Sequence, residues 1–386
     1  MNRQLTRETL QKLLQVVEIE SVSLEHLRKL LFNEAGIKDY IPDGICQLDP
    51  RNGDRIVYNS ARAQRPHDNR PVASGSSPEV LDRECLICEG KTTGVVDVAD
   101  LSQGFTFINW NLFPILYPGD TCNQRQSVDN GTRFLGPQGI TVHGYHLLQW
   151  TSSLHDKDWN NMPHSDRVVV MQRLAALEQK LLSSSESEVE IGTNQDSKDS
   201  PSGYVSIIKN FGRLVGGSLV HGHQQIGFSN LMPKRVLDHK RFETDHGENF
   251  SAYLLHKNQS DLIIHDYGPA VLLVPYFMRR PFDMFLHVKD TSKRYLYELN
   301  EVEIAAVANG WHDAIRAILL LMPQLGKESA YNVITNSGPG AGLYFEFLPY
   351  TQETGGFEHL GLYMCQGNPQ DTAGQLRLIL GKTSVR

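Results

Sequence analysis

The segment Gly216-Gly217-Ser218-Leu219-Val220-His221-Gly222-His223-Gln224-Gln225 puts two imidazoles one residue apart, with a glutamine two positions further on. In an extended chain alternate residues face alike, so His221, His223 and Gln225 would point together into one pocket. A neutral imidazole is both a zinc ligand and a nucleophile near neutral pH, and a glutamine amide can donate to a developing phosphoryl oxygen. These are tools for chemistry at phosphorus. Gly216, Gly217 and Ser218 form a turn whose amides can approach an anion, although two glycines also suit a bulge that holds no ligand.

A second constellation is Cys85-Leu86-Ile87-Cys88, lying between polar stretches. Thiolates three apart on a tight turn can reach one tetrahedral zinc but supply only half its ligands. No second Cys-x-x-Cys exists, so histidines would have to complete such a site. Two ordinary buried thiols are the alternative. A redox pair is disfavoured because no thioredoxin-like βαβ pattern surrounds the motif.

The whole chain limits what these groups can belong to. Its 386 residues suffice for two or three domains. With 40% hydrophobic and 21% charged residues it buries an ordinary globular core. A net charge of −7 argues against nucleic-acid binding through the phosphate backbone, yet leaves room for a small anionic ligand held by a few arginines. No run approaches the roughly 20 apolar residues of a membrane span, and the N-terminus lacks a signal-peptide apolar core. Five cysteines, two of them in one Cys-x-x-Cys, fit a reduced compartment. The expectation is a cytoplasmic protein with neither membrane nor nucleic acid as partner.

Several elements must position the chemistry. Leu10, Leu13, Leu14 and Val17 share a helical face, and Leu24, Leu27, Leu30 and Leu31 repeat the pattern after Ser23, a candidate N-cap. Residues 47–80 read as loop around one strand at 55–58, and further strands are expected at 105–108, 145–150 and 204–209. The spacing of Val170, Leu174, Leu177 and Leu181 predicts a helix over 165–182, followed by a polar loop. A second unit starts near Phe250, with strands at 271–276, 284–288, 331–335 and 343–348. Helices are predicted there over 302–321, with Asn300 and Glu303 suited to a capping box, and over 370–380. Strands, a long helix and more strands thus occur twice, which suggests a duplicated α+β unit.

Taken together, these motifs resemble the galactose-1-phosphate uridylyltransferase-like family of the histidine-triad superfamily, including its nucleotide-sugar phosphorylase and adenylyltransferase relatives. The active strand of that family carries His-x-His-x-Gln, as at 221–225. Residues 49–54 and 60–66 are similar to its nucleotide-binding segment, with arginines at Arg62 and Arg65. Asn111-Leu112-Phe113-Pro114 resembles its ribose-binding turn, and Lys209-Asn210-Phe211-Gly212 the stretch before the active strand. Gly144-Tyr145-His146 and His155 match the strand that leads to a zinc ligand, and Gly356-Phe357-Glu358 the hexose-binding segment. The match runs from about residue 47 to 380.

The resemblance implies an α+β fold of two tandem histidine-triad-like units, each an antiparallel sheet with packed helices. A helical N-terminal extension (1–45) precedes an active-site domain (46–245) and a C-terminal domain (246–386). It implies one structural zinc held by Cys85, Cys88, His155 and His221, leaving His223 free to attack an α-phosphorus while Gln225 steadies the phosphoryl oxygens. Arg62, Arg65, Asn111, Asn210, Gly216, Gly217 and Ser218 would bind nucleotide and phosphate, and Phe357 and Glu358 the sugar. The partners implied are a nucleotide sugar, a sugar phosphate or inorganic phosphate as acceptor, and a second copy of the chain in a homodimer.

Departures from the family matter too. Asn336 and residues 343–346 stand where several members hold a second metal, so no second metal is expected. Gly222 replaces a common proline, Leu112 a charged residue, and Met364 a glutamine of the galactose enzymes. These changes preserve nucleotidyl transfer but leave the base and the sugar open, so uridylyl transfer to a hexose phosphate and phosphorolysis of an ADP-sugar remain rival readings. A zinc-stabilised nucleotide binder without turnover is the reading from another class.

Overall fold

A computed structural model of the chain describes residues 3–66, 85–118, 139–183 and 203–381. The polar loop expected after residue 183, and the part of the 47–80 loop beyond residue 66, lie outside the described residues.

A ten-stranded antiparallel sheet forms the centre of the fold. In chain order its strands are β3 (Val95–Asp100), β4 (Phe105–Trp110), β6 (Gly144–Trp150), β7 (Tyr204–Phe211), β8 (His223–Ser229), β9 (Ile263–Asp266), β10 (Ala270–Leu273), β11 (Met284–Val288), β12 (Tyr331–Asn336) and β13 (Tyr344–Pro349). Their spatial order is β3-β4-β6-β8-β7-β12-β13-β11-β10-β9. Read from either edge the two halves follow the same path: two strands, a third, then a crossover that swaps the last two. The remaining strands, β1 (Ile45–Leu48), β2 (Arg55–Tyr58) and β5 (Ile140–Thr141), make a separate small sheet.

The repetition extends to single residues. Ile208 of β7 pairs with Gln225 of β8, and Ile334 of β12 with Glu346 of β13. Aligned on that register, Ile208-Lys209-Asn210-Phe211-Gly212 corresponds to Ile334-Thr335-Asn336-Ser337-Gly338. Both terminal glycines adopt left-handed backbone, φ 89° and 94°, a conformation that strongly favours glycine. Ile208 and Ile334 also pair directly with each other. The pseudo-twofold axis therefore passes between them, and the two expected sheets are fused there into one.

Each half lays a long helix on the same face of the sheet. α3 (His164–Ser183) buries Val170, Leu174, Leu177 and Leu181, the predicted stripe. α6 (Glu301–Gln324) begins with the expected box, Asn300 accepting from the Glu303 amide while the Glu303 carboxylate accepts from the Asn300 amide. By length and composition α6 is apolar enough to cross a membrane, contrary to the reading that no run approaches a span; Ile304, Val307, Trp311, Ile315 and Ile318 spend that apolarity on the core.

The N-terminal segment packs on its own chain. α1 (Arg7–Leu13) stops before Val17, which is 56% exposed rather than part of the apolar face. Leu5 donates its amide to Ser153, Gln15 and Val16 donate to Val95, and Leu5 and Leu10 join Cys85, Phe107 and Trp150 in one cluster. α2 (Leu24–Asn33) is capped by Ser23 as predicted. Strand alternation and helical spacing did not reveal β3 or α4 (Lys234–His246), because β3 carries polar Asp97 inside and α4 is mostly charged.

Glu178 of α3 is fully buried against the second half, with Oε2 accepting from the Tyr297 amide at 3.3 Å and Oε1 unpartnered. Burial pushes its carboxyl up to about 8. Between the unfolded value near 4.5 and that folded value the native chain retains a proton that the unfolded chain has lost, so stability falls as pH rises. Glu178→Gln removes this loss. Thermal scans of wild type and variant should coincide near about pH 5 and diverge by several degrees at about pH 8, with the variant the more stable.

Candidate active site and metal centre

β8 begins at His223, so His221 sits on the bend before it and does not share its face. This corrects the expectation that His221, His223 and Gln225 line one pocket. The bend turns the two imidazoles apart, one to a sulfur cluster and the other, with Gln225, to a cleft.

The cluster contains Cys85, Cys88, His155 and His221, whose ligand atoms all lie within 4.8 Å of one another. His221 Nδ1 is 3.6 Å from both sulfurs, and His155 Nδ1 is 3.7 Å from Cys88. Tetrahedral bonds of ~2.3 Å to sulfur and ~2.0 Å to nitrogen would give edges of about 3.5 Å, so the donors fit one such ion. His221 Nε2–H donates to the Ser152 carbonyl at 2.8 Å, which fixes the tautomer and turns the Nδ1 lone pair on the sulfurs. The Cys85 thiol is drawn down to about 2 by hydrogen bonding from Cys88 and the imidazoles, while Cys88 is pushed up by the thiolate beside it. A cation there would relieve that repulsion and let both sulfurs ionise.

The cleft is lined by Arg62, Arg65, Asn111, Trp150, Ser218, His223 and Gln225, among others. His223 is buried, its ring 4.9 Å from that of Trp150. Its Nδ1–H donates to the His221 carbonyl at 2.8 Å. Nε2 is thereby left unprotonated. Burial pushes this imidazole down to about 4; the His221 carbonyl opposes that shift and the Lys209 charge adds to it. The ring is neutral at physiological pH.

Arg62 is held by its Nη1 donating to the Phe113 carbonyl at 3.1 Å. Burial, reinforced by the charge of Arg65, pulls it down to about 10, so it stays cationic. Arg65 keeps a buried Nε without a hydrogen-bond partner. Two repelling guanidiniums in one wall are a site for an anion. Asn111 Oδ1 accepts from the Phe113 amide and shapes the turn beneath them.

His146 figures in the sequence only within the strand that leads to a zinc ligand, with no role of its own. Its Nδ1 accepts from the Ile115 amide at 3.0 Å, and burial pushes the ring down to about 3. The neutral ring must therefore carry its proton on Nε2, and Gln225 is its side-chain hydrogen-bond partner. In that tautomer the Asn111 Nδ2 approach at 3.3 Å is a contact between donors. Oε1 of Gln225 is the acceptor which that tautomer calls for, and the Gln225 amide hydrogens are not spent in this contact. Strand alternation, which puts His146, Leu148 and Trp150 on one face, would have flagged it.

Other expected residues fall elsewhere. Gly216, left-handed at φ 84°, ends a short 3-10 turn, and a Cβ on Gly217 would meet the Gly212 carbonyl at 2.8 Å. Both shape the loop that delivers Ser218 without lining the cleft. Asn210 spends its Oδ1 on Asn332 at 2.7 Å and does not line the cleft. Phe357 and Glu358 lie on α7 (Gly356–His359) in the C-terminal half, where Phe357 is 61% exposed and Glu358 accepts from the Gly355 amide. Neither belongs to the cleft around His223. Asn336 and Glu346, at the family's second-metal positions, bond each other at 3.1 Å, and Arg235 pairs with Glu346 at 2.6 Å.

Beneath His223 lies a buried ion pair, Lys209 Nζ to Asp158 Oδ2 at 2.7 Å, with Nζ also 3.3 Å from the His223 carbonyl. A Cβ on Gly222 would meet Asp158 Cγ at 2.6 Å. This explains Gly222 in place of proline: the ion pair needs that space. Lys209→Met strands Asp158 and should cost about 3 kcal/mol in denaturant titrations. Adding Asp158→Leu should recover much of the loss, and additive losses would refute the coupling.

No family model matches the chain. It is 22% identical over 349 residues to the ADP-glucose phosphorylase of Arabidopsis thaliana, an alignment covering 85% of this chain and 91% of that protein. A solved uridylyltransferase structure superposes with TM-score 0.65 at 18% identity, covering 88% of this chain and 99% of the other. The crystal structure of an Arabidopsis thaliana ADP-glucose phosphorylase with bound ADP-glucose gives TM-score 0.56 at 18% identity, over 86% of this chain and 98% of the other. The chain is a distant homologue of the Arabidopsis thaliana ADP-glucose phosphorylase and shares the fold of the solved uridylyltransferase.

Proposed function

We propose that this chain is a nucleotidyltransferase that acts on a nucleoside diphosphate sugar by double displacement through a nucleotidyl-histidine. The observation that carries the reading is the hydrogen bond from His223 Nδ1 to the His221 carbonyl, which leaves Nε2 aimed into a cleft walled by Arg62 and Arg65. The Nε2 lone pair attacks the α-phosphorus, and the bond to the bridging oxygen breaks with its electron pair passing to the departing sugar phosphate. The His221 carbonyl steadies the imidazolium character of the phosphorylated ring. A phosphate oxygen of the acceptor then attacks the same phosphorus, the N–P bond breaks, and neutral His223 returns. Gln225, oriented by His146, donates to a non-bridging oxygen, Arg62 and Arg65 offset phosphate charge, and Ser218 meets the distal phosphate.

The cleft as it stands is about 70 Å³, below the roughly 300 Å³ or more usual for such ligands. Cys85, Cys88, His155 and His221 would hold one zinc, whose role is to anchor the backbone before β8. Phe357, Leu360, Leu362 and Met364 are exposed together, which supports a homodimer in which this segment of one chain supplies sugar contacts to the other.

Phosphorolysis of an ADP-sugar is the favoured form of the reaction, because the relative aligned along most of the chain carries that activity in its name. Incubation with radiolabelled ADP-glucose or UDP-glucose should leave acid-labile label on the protein. Release of that label by inorganic phosphate or by glucose 1-phosphate identifies the acceptor. No label from either compound on folded protein refutes the class. His223→Asn should lose turnover by several orders of magnitude while retaining ligand; equal behaviour of variant and wild type would favour a binder without turnover.

His146→Ala should lower kcat about tenfold to a hundredfold with little change in nucleotide affinity, since it frees the Gln225 amide to rotate. Elemental analysis should find one zinc per chain in protein purified without chelator, and its removal should reduce thermal stability.

A further inference from the structure

The pseudo-twofold axis gives the reacting cleft a counterpart in the C-terminal half. Trp150 and Leu148 of β6 pair with His223 and Gln225, while His287 and Phe285 of β11 pair with Tyr344 and Glu346. One strand further out, Phe107 and Asn109 pair with Trp150 and Leu148, as Val271 and Leu273 pair with His287 and Phe285. Tyr344 thus occupies the place of His223, and Glu346 that of Gln225. Burial, with the Glu346 charge beside it, pushes the Tyr344 hydroxyl well above the usual tyrosine range, so it stays protonated. Over these two residues lies a cavity of about 580 Å³.

Its lining is strongly charged: of the carboxylates there, Asp238 is paired with Lys234, Glu346 with Arg235, and Glu358 accepts the Gly355 amide, while Glu353 adds a further negative charge. Asp283 is 3% exposed; its Oδ2 accepts from the Arg280 amide at 3.1 Å, but Oδ1 has no hydrogen-bond partner. Phe282, just before it, is the sole non-glycine residue with positive φ among those described, at 70°. Such strain persists where the surroundings enforce it. Here it sets Arg279, Arg280 and Asp283 around one cavity. Among the described residues Arg279 makes no ion pair, and Arg280 has only the 4.0 Å approach to Asp283. The Arg279 guanidinium lies 4.7 Å over the ring of Tyr363, which with Phe277 contributes partly exposed aromatic surface to the wall.

We propose that this cavity is a second, non-reacting site for a nucleoside phosphate, with Arg279 and Arg280 on the phosphate, Phe277 and Tyr363 against the base, and the free oxygen of Asp283 on a base N–H. Two arginines without close partners suit phosphate, and flat aromatic surface suits a base. Burial pushes the Asp283 carboxyl up to about 7, a cost that a donor from a base offsets. The comparison of halves rests on reading the His223 cleft as a nucleotide site, whereas the lining of the cavity stands apart from it.

Calorimetric titration of the intact chain with ADP, GDP and UDP in turn tests both readings. For at least one nucleotide, wild type should bind two equivalents per chain. Arg279→Glu with Arg280→Glu should remove one of them, weakening it at least tenfold while unfolding temperature is kept, and Phe277→Ala should weaken the same one. Arg62→Glu with Arg65→Glu should remove the other. No binding of any of the three nucleotides, one equivalent that survives the Arg279/Arg280 variant, or two that survive both the Arg279/Arg280 and Phe277 variants, overturns the proposal. Binding that is lost only with Arg279 and Arg280, and never with Arg62 and Arg65, would instead sink the reading of the His223 cleft and leave the second site standing.

Discussion

The hydrogen bond from His223 Nδ1 to the His221 carbonyl, 2.8 Å long, joins the two functional parts of the N-terminal half. On one side of it the His221 ring is committed to Cys85, Cys88 and His155. On the other the His223 ring is free at Nε2. The same peptide unit is braced from below, where Lys209 approaches the His223 carbonyl and Asp158 presses on Gly222. Three elements distant in sequence therefore converge on three residues of backbone. A nucleophile must be held to within a fraction of an ångström of its attack line, and here the hold acts on the main chain as well as on the ring.

Much of this was legible in the sequence. Cys85, Cys88, His155 and His221 come together as the family resemblance implied, and the capping residues Ser23 and Asn300 start their helices. Strand alternation, applied to His221, His223 and Gln225 alike, failed because the strand starts two residues later than the pattern suggests. The Gly-Gly pair was ambiguous for a physical reason: a left-handed turn and a close backbone contact need glycine whether or not an anion is present. His146 shares a strand face with Leu148 and Trp150, but its partners, an amide at Ile115 and a glutamine on a neighbouring strand, are set only by three-dimensional packing.

The duplication was harder still to see. Ile-x-Asn-x-Gly occurs at 208–212 and 334–338, but five positions with three identities carry no weight until the strand register aligns them. Once aligned, the two halves differ in instructive ways. The first keeps imidazole and amide at the start of its fifth strand, and the second holds tyrosine and glutamate there, tied to Arg235, His239 and Asn336. In the second half these positions are hydrogen-bonded framework, while in the first they line a cleft.

The seam between β7 and β12 carries one more implication. It is made of main-chain hydrogen bonds between the central strands of the two halves, with an aromatic stack of Phe211 on Tyr331 beside them. Neither half can let go without baring a raw sheet edge, so the duplicated units are not separable modules joined by a tether. Heat should melt them in a single cooperative event, and an ancestral single unit would have needed a twin from another chain to cover that margin.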